Sequence, residues 1–195
     1  LESDLGETVG SATAFETYAA CPYRYFLSRL LHIAPTESPE VEIGLDPLAF
    51  GSLIHAVLEK FSLWRMSDDS EGESPGRQAQ EDRMRELVDS HIEELKEETP
   101  GRSDGAWRIE KTRAWLILRQ WLRRESTLAG GSGMRQVEAE YVFGRDEQIS
   151  PIEVRTAAGH SVKFSGQVDR VDISDDGTRV VVYDYKSGSN EPYKG

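Results

Sequence analysis

The feature that most constrains this fold is a change of hydrophobic period at the glycine-rich segment 130–133. Before this segment, apolar residues recur every three or four positions, which is typical of helices with one buried face. After it, apolar and polar residues alternate, which is typical of strands. We predict a short helix from Ser11 or Thr13, helices over 23–31, 48–64, 78–98 and 106–128, and strands over 137–143, 152–156, 162–173 and 179–186. This order indicates a mixed α+β fold in which N-terminal helices pack on a mostly antiparallel sheet.

The length and composition favour one domain. The chain has 195 residues, of which 37% are hydrophobic, so we expect a single domain over 1–195 with a helical part at 1–129 and a strand part at 134–188. Its apolar runs are far shorter than the roughly 20 residues of a membrane-spanning helix, so we expect no membrane contact. The single cysteine, Cys21, excludes an internal disulfide and fits a reducing cytoplasm. Because the chain begins with Leu1 and ends soon after a predicted strand, we expect it to be part of a longer protein.

The net charge of −12 weighs against nucleic-acid binding, because phosphate contacts need Lys and Arg. The charge is segregated, however. Residues 68–99 hold 12 acidic and 4 basic side chains, whereas residues 102–124 hold 7 basic and 2 acidic ones. In the basic helix, Arg119, Arg123 and Arg124 could contact phosphates, or they could lie on a solvated face. The three tryptophans of this helix are expected in the core.

The last predicted strand ends in a charged pair. Because side chains alternate between the two faces of a strand, Asp184 and Lys186 project to one side, whereas Tyr183 and Tyr185 project to the other. A carboxylate and an ammonium group are therefore expected side by side. They form either a reactive pair or a structural salt bridge at a strand end.

A hairpin should bring Asp169 to this pair. The preceding strand is followed by Asp175, Asp176 and Gly177, which indicate a tight turn. An even loop such as 174–177 would set Asp169 opposite Val182 and diagonal to Asp184 on one face, with Cβ atoms roughly 7 Å apart. An odd loop would place the two carboxylates on opposite faces unless a bulge intervened.

Two carboxylates at such a distance repel each other unless they are exposed to solvent or share a cation. Mg²⁺ prefers oxygen ligands, and Mn²⁺ also accepts an imidazole. His55, one helical turn after Gly51, is the candidate third ligand. The alternative is a structural histidine that only completes the core.

Four segments resemble the PD-(D/E)XK nuclease superfamily, and within it the RecB and AddB helicase-nuclease branch and related CRISPR-associated nucleases. They are residues 11–26 with Tyr18, Cys21, Pro22 and Tyr23, residues 51–61 with Gly51 and His55, the run Gly166-Gln167-Val168-Asp169-Arg170-Val171-Asp172, and the run Asp184-Tyr185-Lys186-Ser187-Gly188. The resemblance implies a restriction-endonuclease-like core and a DNA nuclease that uses Mg²⁺ or Mn²⁺.

The resemblance also implies roles for individual residues. His55, Asp169, Asp184 and the backbone carbonyl of Tyr185 would bind the metal, and Lys186 would act on the attacking water. Glu140 is the candidate for an additional acidic residue on the first strand, although an exposed strand glutamate is the alternative.

The match to this branch is incomplete. A Gln-x-x-x-Tyr helix usually follows the lysine in the branch, and the chain stops nine residues after Lys186, so we expect a final helix and strand to be missing. In some relatives a cysteine at the position of Cys21 joins three others around a 4Fe-4S cluster. Cys21 is either such a ligand in a longer parent protein or an ordinary buried thiol.

Two classes of function remain open. The first is a nuclease of DNA repair and recombination that acts on single-stranded DNA ends delivered by a helicase subunit or by a helicase domain of the same chain. The second is a non-catalytic module that keeps the nuclease fold and grips DNA or acts as a scaffold. A metal-binding structural domain without DNA is a weaker third alternative.

Overall fold

A computed structural model describes residues 9–33, 44–69, 75–129, 133–145, 149–155 and 159–186. The chain divides into two compact units, one formed by Leu1–Glu40 with Glu140–Val168 and the other by Val41–Ala139 with Asp169–Gly195. Most of the predicted glycine-rich linker and the motif residues Ser187 and Gly188 lie outside the described residues.

Three long helices form the core of the second unit: α3 (Pro47–Asp69), α4 (Arg77–Glu98) and α5 (Asp104–Ala129). In α4, the buried side chains are Met84, Leu87, Val88 and Ile92, whose helical spacing explains why this acidic segment packs. Trp107 is buried, and Trp115 and Trp121 pack against the same core, as predicted. No helix in the described ranges is both long and apolar enough to span a membrane.

The start of α3 is fixed by side-chain hydrogen bonds. The N–H of Ala49 donates to Asp46 Oδ1 at 2.8 Å, and Pro47 occupies the first turn, where its missing N–H costs little. The N–H of Leu45 donates to Oε1 of the buried Glu110 on α5 at 3.0 Å. The helix then continues to Asp69, five residues beyond the predicted end. Its beginning is therefore held firmly eight residues before His55.

The second unit also contains the end of β4 (Ser161–Ser174) and all of β5 (Val180–Tyr183), which pair antiparallel. The ladder sets Val171 opposite Val182 and ends with Arg170 opposite Tyr183. The predicted register, with Asp169 opposite Val182, is wrong by two residues. Because the error is even, every side chain keeps its predicted face.

The hairpin turn explains the longer loop. The carboxylate of Asp176 accepts hydrogen bonds from Ser174 Oγ at 2.6 Å, Thr178 Oγ1 at 2.8 Å and the Thr178 N–H at 3.0 Å. These bonds, the one from Ser174 first among them, lower the pKa of Asp176 to about 2. Gly177 has a φ of 70°, which suits glycine. Side-chain hydrogen bonding therefore selects a loop of residues 174–179.

In the first unit, the beginning of β4 pairs with β3 (Ile152–Arg155) antiparallel and with β1 (Val9–Ser11) in parallel. A three-residue strand is too short to show alternation, so β1 was not predicted. Ser11 caps α1 (Ala12–Ala20), because its Oγ accepts from the Ala14 N–H at 3.2 Å.

The predicted helix over 23–31 is α2 (Pro22–Tyr25) followed by a π-helical turn over Phe26–Leu30. With β2 (Met134–Phe143) also neighbouring β4, the strands are both parallel and antiparallel. The predicted α+β class is confirmed, with a mixed sheet.

Candidate active site

His55 on α3 lies between two groups that come from the β4–β5 hairpin. Its Nε2 is 2.9 Å from the carbonyl oxygen of Tyr185, and its Nδ1 is 3.4 Å from Oδ1 of Asp169. A carbonyl oxygen can only accept, so Nε2 carries the proton of this hydrogen bond. Nδ1 then presents either a lone pair or a second proton to the carboxylate. The structure thus brings together His55, Asp169 and the Tyr185 carbonyl.

The backbone of Tyr185 is held on both sides. Its N–H donates a short hydrogen bond to Oδ2 of Asp169, and its carbonyl accepts from His55. The Asp169 side chain is only 10% exposed, so both of its oxygens are engaged away from bulk water. These contacts fix the chain just beyond the last residue of β5.

The ring of Tyr185 packs into the helical core. It meets the rings of His55 and Trp121 edge-on, with centroids 6.1 Å and 6.0 Å away. Its hydroxyl is buried and has no hydrogen-bond partner among the described residues. Burial raises the pKa of Tyr185 to about 12, against the opposing effect of the Arg170 charge. Tyr185 is therefore anchored by its ring as well as by its backbone.

Asp184 and Lys186, on either side of Tyr185, face solvent. Lys186 Nζ is 2.6 Å from Asp184 Oδ2, and the two side chains are 69% and 62% exposed. Strand alternation predicted that they would share a side, and they do. An ion pair this exposed contributes at most about 1 kcal/mol to stability. Stabilisation is therefore a weak reason for the pair, whereas both groups are accessible to a substrate.

The carboxylate of Asp184 does not join the other candidate ligands. The ligand atoms of His55, Asp169 and Asp184 are not all within 4.8 Å of one another in the part of the chain that the structure describes. The hairpin ladder ends one pair earlier, at Arg170 and Tyr183. Beyond that pair, Asp169 turns to the Tyr185 N–H and Asp184 turns to Lys186.

A buried charge network lies on the other face of β4. Arg170 donates from Nε and Nη2 to the two oxygens of Asp172 at 2.5 and 2.6 Å, and from Nη1 to Glu125 of α5 at 2.6 Å. Arg65 of α3 also donates to Glu125, at 3.2 Å, and to Gln136, at 2.6 Å. Burial alone would lower the pKa of Arg170, but Asp172 and Glu125 outweigh burial and raise it.

Little in the sequence indicated this network. Asp172 was expected to lie in a turn or at the surface, but it is 2% exposed and ion-paired. The one available signal was the alternation of Arg170, Asp172 and Ser174, which all project to one face of β4 and are all buried.

Glu140, in the first unit, has an unusual backbone. Its φ is 51° in the middle of β2, a left-handed conformation that costs a non-glycine residue roughly 1–2 kcal/mol. Its carboxylate accepts a short hydrogen bond from Gln167 Nε2. An ordinary exposed strand glutamate would have no reason to keep this conformation, and such strain often marks a functional position.

The other candidates are placed as follows. Cys21, also in the first unit, is half-buried, and its Sγ accepts from the Arg24 N–H at 3.4 Å. Arg123 and Arg124 are exposed on α5, whereas Nε of Arg119 is buried without a hydrogen-bond partner among the described residues. Of the three arginines, Arg123 and Arg124 are therefore the ones accessible to phosphate.

The donor set fits a divalent cation. An imidazole nitrogen, a carboxylate oxygen and a carbonyl oxygen together suit Mn²⁺, and the two oxygens suit Mg²⁺. Two neighbouring ligands of an octahedral ion with bonds of about 2.1 Å are roughly 3 Å apart, and the Nδ1 to Oδ1 distance is 3.4 Å. The electrostatic conflict between two acceptors would be relieved by a cation.

The fold and this site together define the class of protein. A family model of the PD-(D/E)XK nuclease superfamily matches residues 10–195, which is nearly the whole chain. The chain therefore belongs to the PD-(D/E)XK nuclease superfamily, as the four sequence segments indicated.

The chain is also similar to bacterial proteins that are named as the AddB subunit of an ATP-dependent helicase/deoxyribonuclease. Identities are 28% over 193 residues in Acetivibrio thermocellus, 27% over 191 in Thermoanaerobacter sp. strain X514 and 27% over 184 in Clostridium kluyveri. The alignments cover 94%, 93% and 93% of this chain but 16% of each relative. The chain therefore corresponds to a small part of these relatives, and their names agree with the resemblance to the AddB branch.

Proposed function

We propose that this chain is a metal-dependent nuclease domain that hydrolyses DNA phosphodiester bonds within a helicase-nuclease of DNA repair and recombination. The observation that carries the proposal is the convergence of His55, Asp169 and the Tyr185 carbonyl, with the accessible Asp184 and Lys186 on either side of Tyr185. The relatives' names, which combine a helicase with a deoxyribonuclease, support DNA as substrate and a helicase as partner.

The residues divide the chemical work. His55, Asp169, Asp184 and the Tyr185 carbonyl would hold Mg²⁺ or Mn²⁺, which when bound makes water easier to deprotonate and offsets charge on the phosphate. The Tyr185 N–H orients Asp169. Lys186, a compact ammonium group, balances negative charge that builds up on the phosphate and orients the attacking water. Asp184 keeps Lys186 nearby until substrate arrives.

The competing function is a non-catalytic DNA-gripping module. Such a module needs basic residues but has no use for a carboxylate, an imidazole and a carbonyl that converge on one point. The net charge of −12 also leaves few phosphate contacts for gripping. The donor set therefore favours the nuclease.

Cleavage of labelled single-stranded DNA by the natural full-length protein tests the proposal. We expect cleavage with Mg²⁺ or Mn²⁺, none in EDTA, and a rate at least about 100-fold lower for Lys186→Gln, since one lost electrostatic contact to the transition state has that effect. Lys163→Gln, a change on β4 in the other unit, is the matched control and should cleave normally. DNA binding without cleavage in either metal would favour the gripping module.

Glu140 gives a second test. We propose that it supports catalysis and that its strained backbone is retained for this purpose. Glu140→Gly should raise the free energy of unfolding by up to about 1 kcal/mol, because glycine adopts this φ without strain, and should still reduce cleavage. Glu138→Gly on the same strand should instead lower stability by roughly 0.5–1 kcal/mol and leave cleavage unchanged. Thermal unfolding and cleavage rates decide, and normal cleavage by Glu140→Gly would leave Glu140 a structural residue.

Two further proposals concern the setting of the domain. The single cysteine fits a reducing cytoplasm, where we propose that the enzyme acts. A 4Fe-4S cluster needs four thiolate ligands, so Cys21 could ligate one only if the full-length protein supplies three more cysteines. Absorption spectroscopy of anaerobically purified full-length protein tests this point.

A further inference from the structure

The buried guanidinium of Arg170 contacts three separate elements. It pairs with Asp172 on its own strand, with Glu125 on α5, and with the ring of Tyr183 on β5, whose centroid is 4.9 Å from Cζ. The two-pronged bond to Asp172 fixes the plane of the guanidinium, which leaves Nη1 directed at Glu125. Arg170 therefore connects the end of the hairpin with α5.

Two of these contacts lead to Tyr185. Tyr183, which pairs directly with Arg170 in the ladder, is two residues before Tyr185. Glu125 is one helical turn after Trp121, whose ring packs edge-on against Tyr185 with centroids 6.0 Å apart. The chain on one side of Tyr185 and the helix against its ring are thus both held by Arg170.

The position of Tyr185 in turn determines the geometry of the candidate ligands. Its N–H binds Asp169 and its carbonyl binds His55. A shift of this one peptide segment would therefore displace all three donors together. We propose that Arg170 is a positioning residue for the metal site and that it acts through Tyr185. This inference rests on the proposed function, because it concerns the same metal site.

Mn²⁺ binding to the 195-residue protein tests the inference, with free and bound Mn²⁺ measured by electron paramagnetic resonance. Arg170→Gln should raise the Kd about 10- to 100-fold, as loss of groups that orient metal ligands commonly does, and should alter the spectrum of the bound ion. Arg170→Lys keeps the charge but loses the fork and should give an intermediate Kd. Thermal unfolding of each variant reports stability separately.

Glu110→Gln is the matched control. Glu110 is a buried carboxylate of the same unit, and its hydrogen bond to Leu45 lies at the start of α3. Its loss should lower the melting temperature and leave the Kd and the spectrum unchanged. If Arg170→Gln does not fold, Glu125→Gln replaces it, since an amide keeps one acceptor but removes the charge, and the Kd should rise several-fold.

The outcomes separate this inference from the proposed function. A wild-type Kd and spectrum in folded Arg170→Gln, or in Glu125→Gln where that variant is used, would overturn the role of Arg170 and leave the nuclease proposal intact. Failure of the wild-type protein to bind Mn²⁺, together with failure of the full-length protein to cleave DNA, would overturn both.

Discussion

Asp169→Asn is expected to abolish metal-dependent DNA cleavage while the domain stays folded. The asparagine carbonyl can still accept from the Tyr185 N–H, so the hairpin contact survives, but the negative charge that faces His55 is lost. A carboxylate ligand contributes several kcal/mol to holding the metal, and 1.36 kcal/mol corresponds to a tenfold rate change. We therefore expect cleavage at least about 100-fold slower at any attainable Mg²⁺ concentration.

The measurement is the cleavage rate of the full-length protein at increasing Mg²⁺, with circular dichroism to confirm folding. Asp175→Asn, an exposed aspartate in the hairpin loop, is the matched control and should cleave at the wild-type rate. A folded Asp169→Asn protein that cleaves normally would remove Asp169 from the site and with it the central support for the proposed function.

Asp172→Ala should have the largest effect on stability. Asp172 is 2% exposed, and its removal leaves the buried Arg170 with Glu125 as its remaining carboxylate partner. Breaking one side of a buried ion pair costs about 3–5 kcal/mol. Because single domains are commonly stable by only about 5–15 kcal/mol, this loss should be visible as a large shift in urea unfolding.

The double variant Arg170→Met with Asp172→Leu distinguishes the ion pair from packing. It removes both charges and keeps apolar volume, so it should recover most of the stability that Asp172→Ala loses. Glu125 then retains Arg65, 3.2 Å away. A double variant as unstable as Asp172→Ala would show that side-chain shape, rather than the unpaired charge, dominates at this position.

The sequence determined the features that depend on local periodicity. The helical and strand periods predicted α3, α4 and α5 and the main strands, because burial of one face imposes the same spacing wherever an element packs. Alternation alone predicted that Asp184 and Lys186 share a side. The faces of the hairpin were predicted as well, since an error of two residues in register preserves them.

Tertiary structure decided which side chains meet. The approach of His55 to Asp169 and to a carbonyl 130 residues away depends on how α3 packs against the hairpin. The pairing of Arg170 with Glu125 depends on the placement of α5. Neither contact leaves a periodic trace, because each involves one residue from each of two distant elements.

The residue types of the candidate site are therefore a property of the sequence, and their convergence is a property of the fold. Strand and helix periods follow from local geometry, which a chain carries in the order of its residues. Contacts between distant elements are fixed only when side chains close-pack, and here burial of Tyr185, Trp121 and Arg170 accomplishes that.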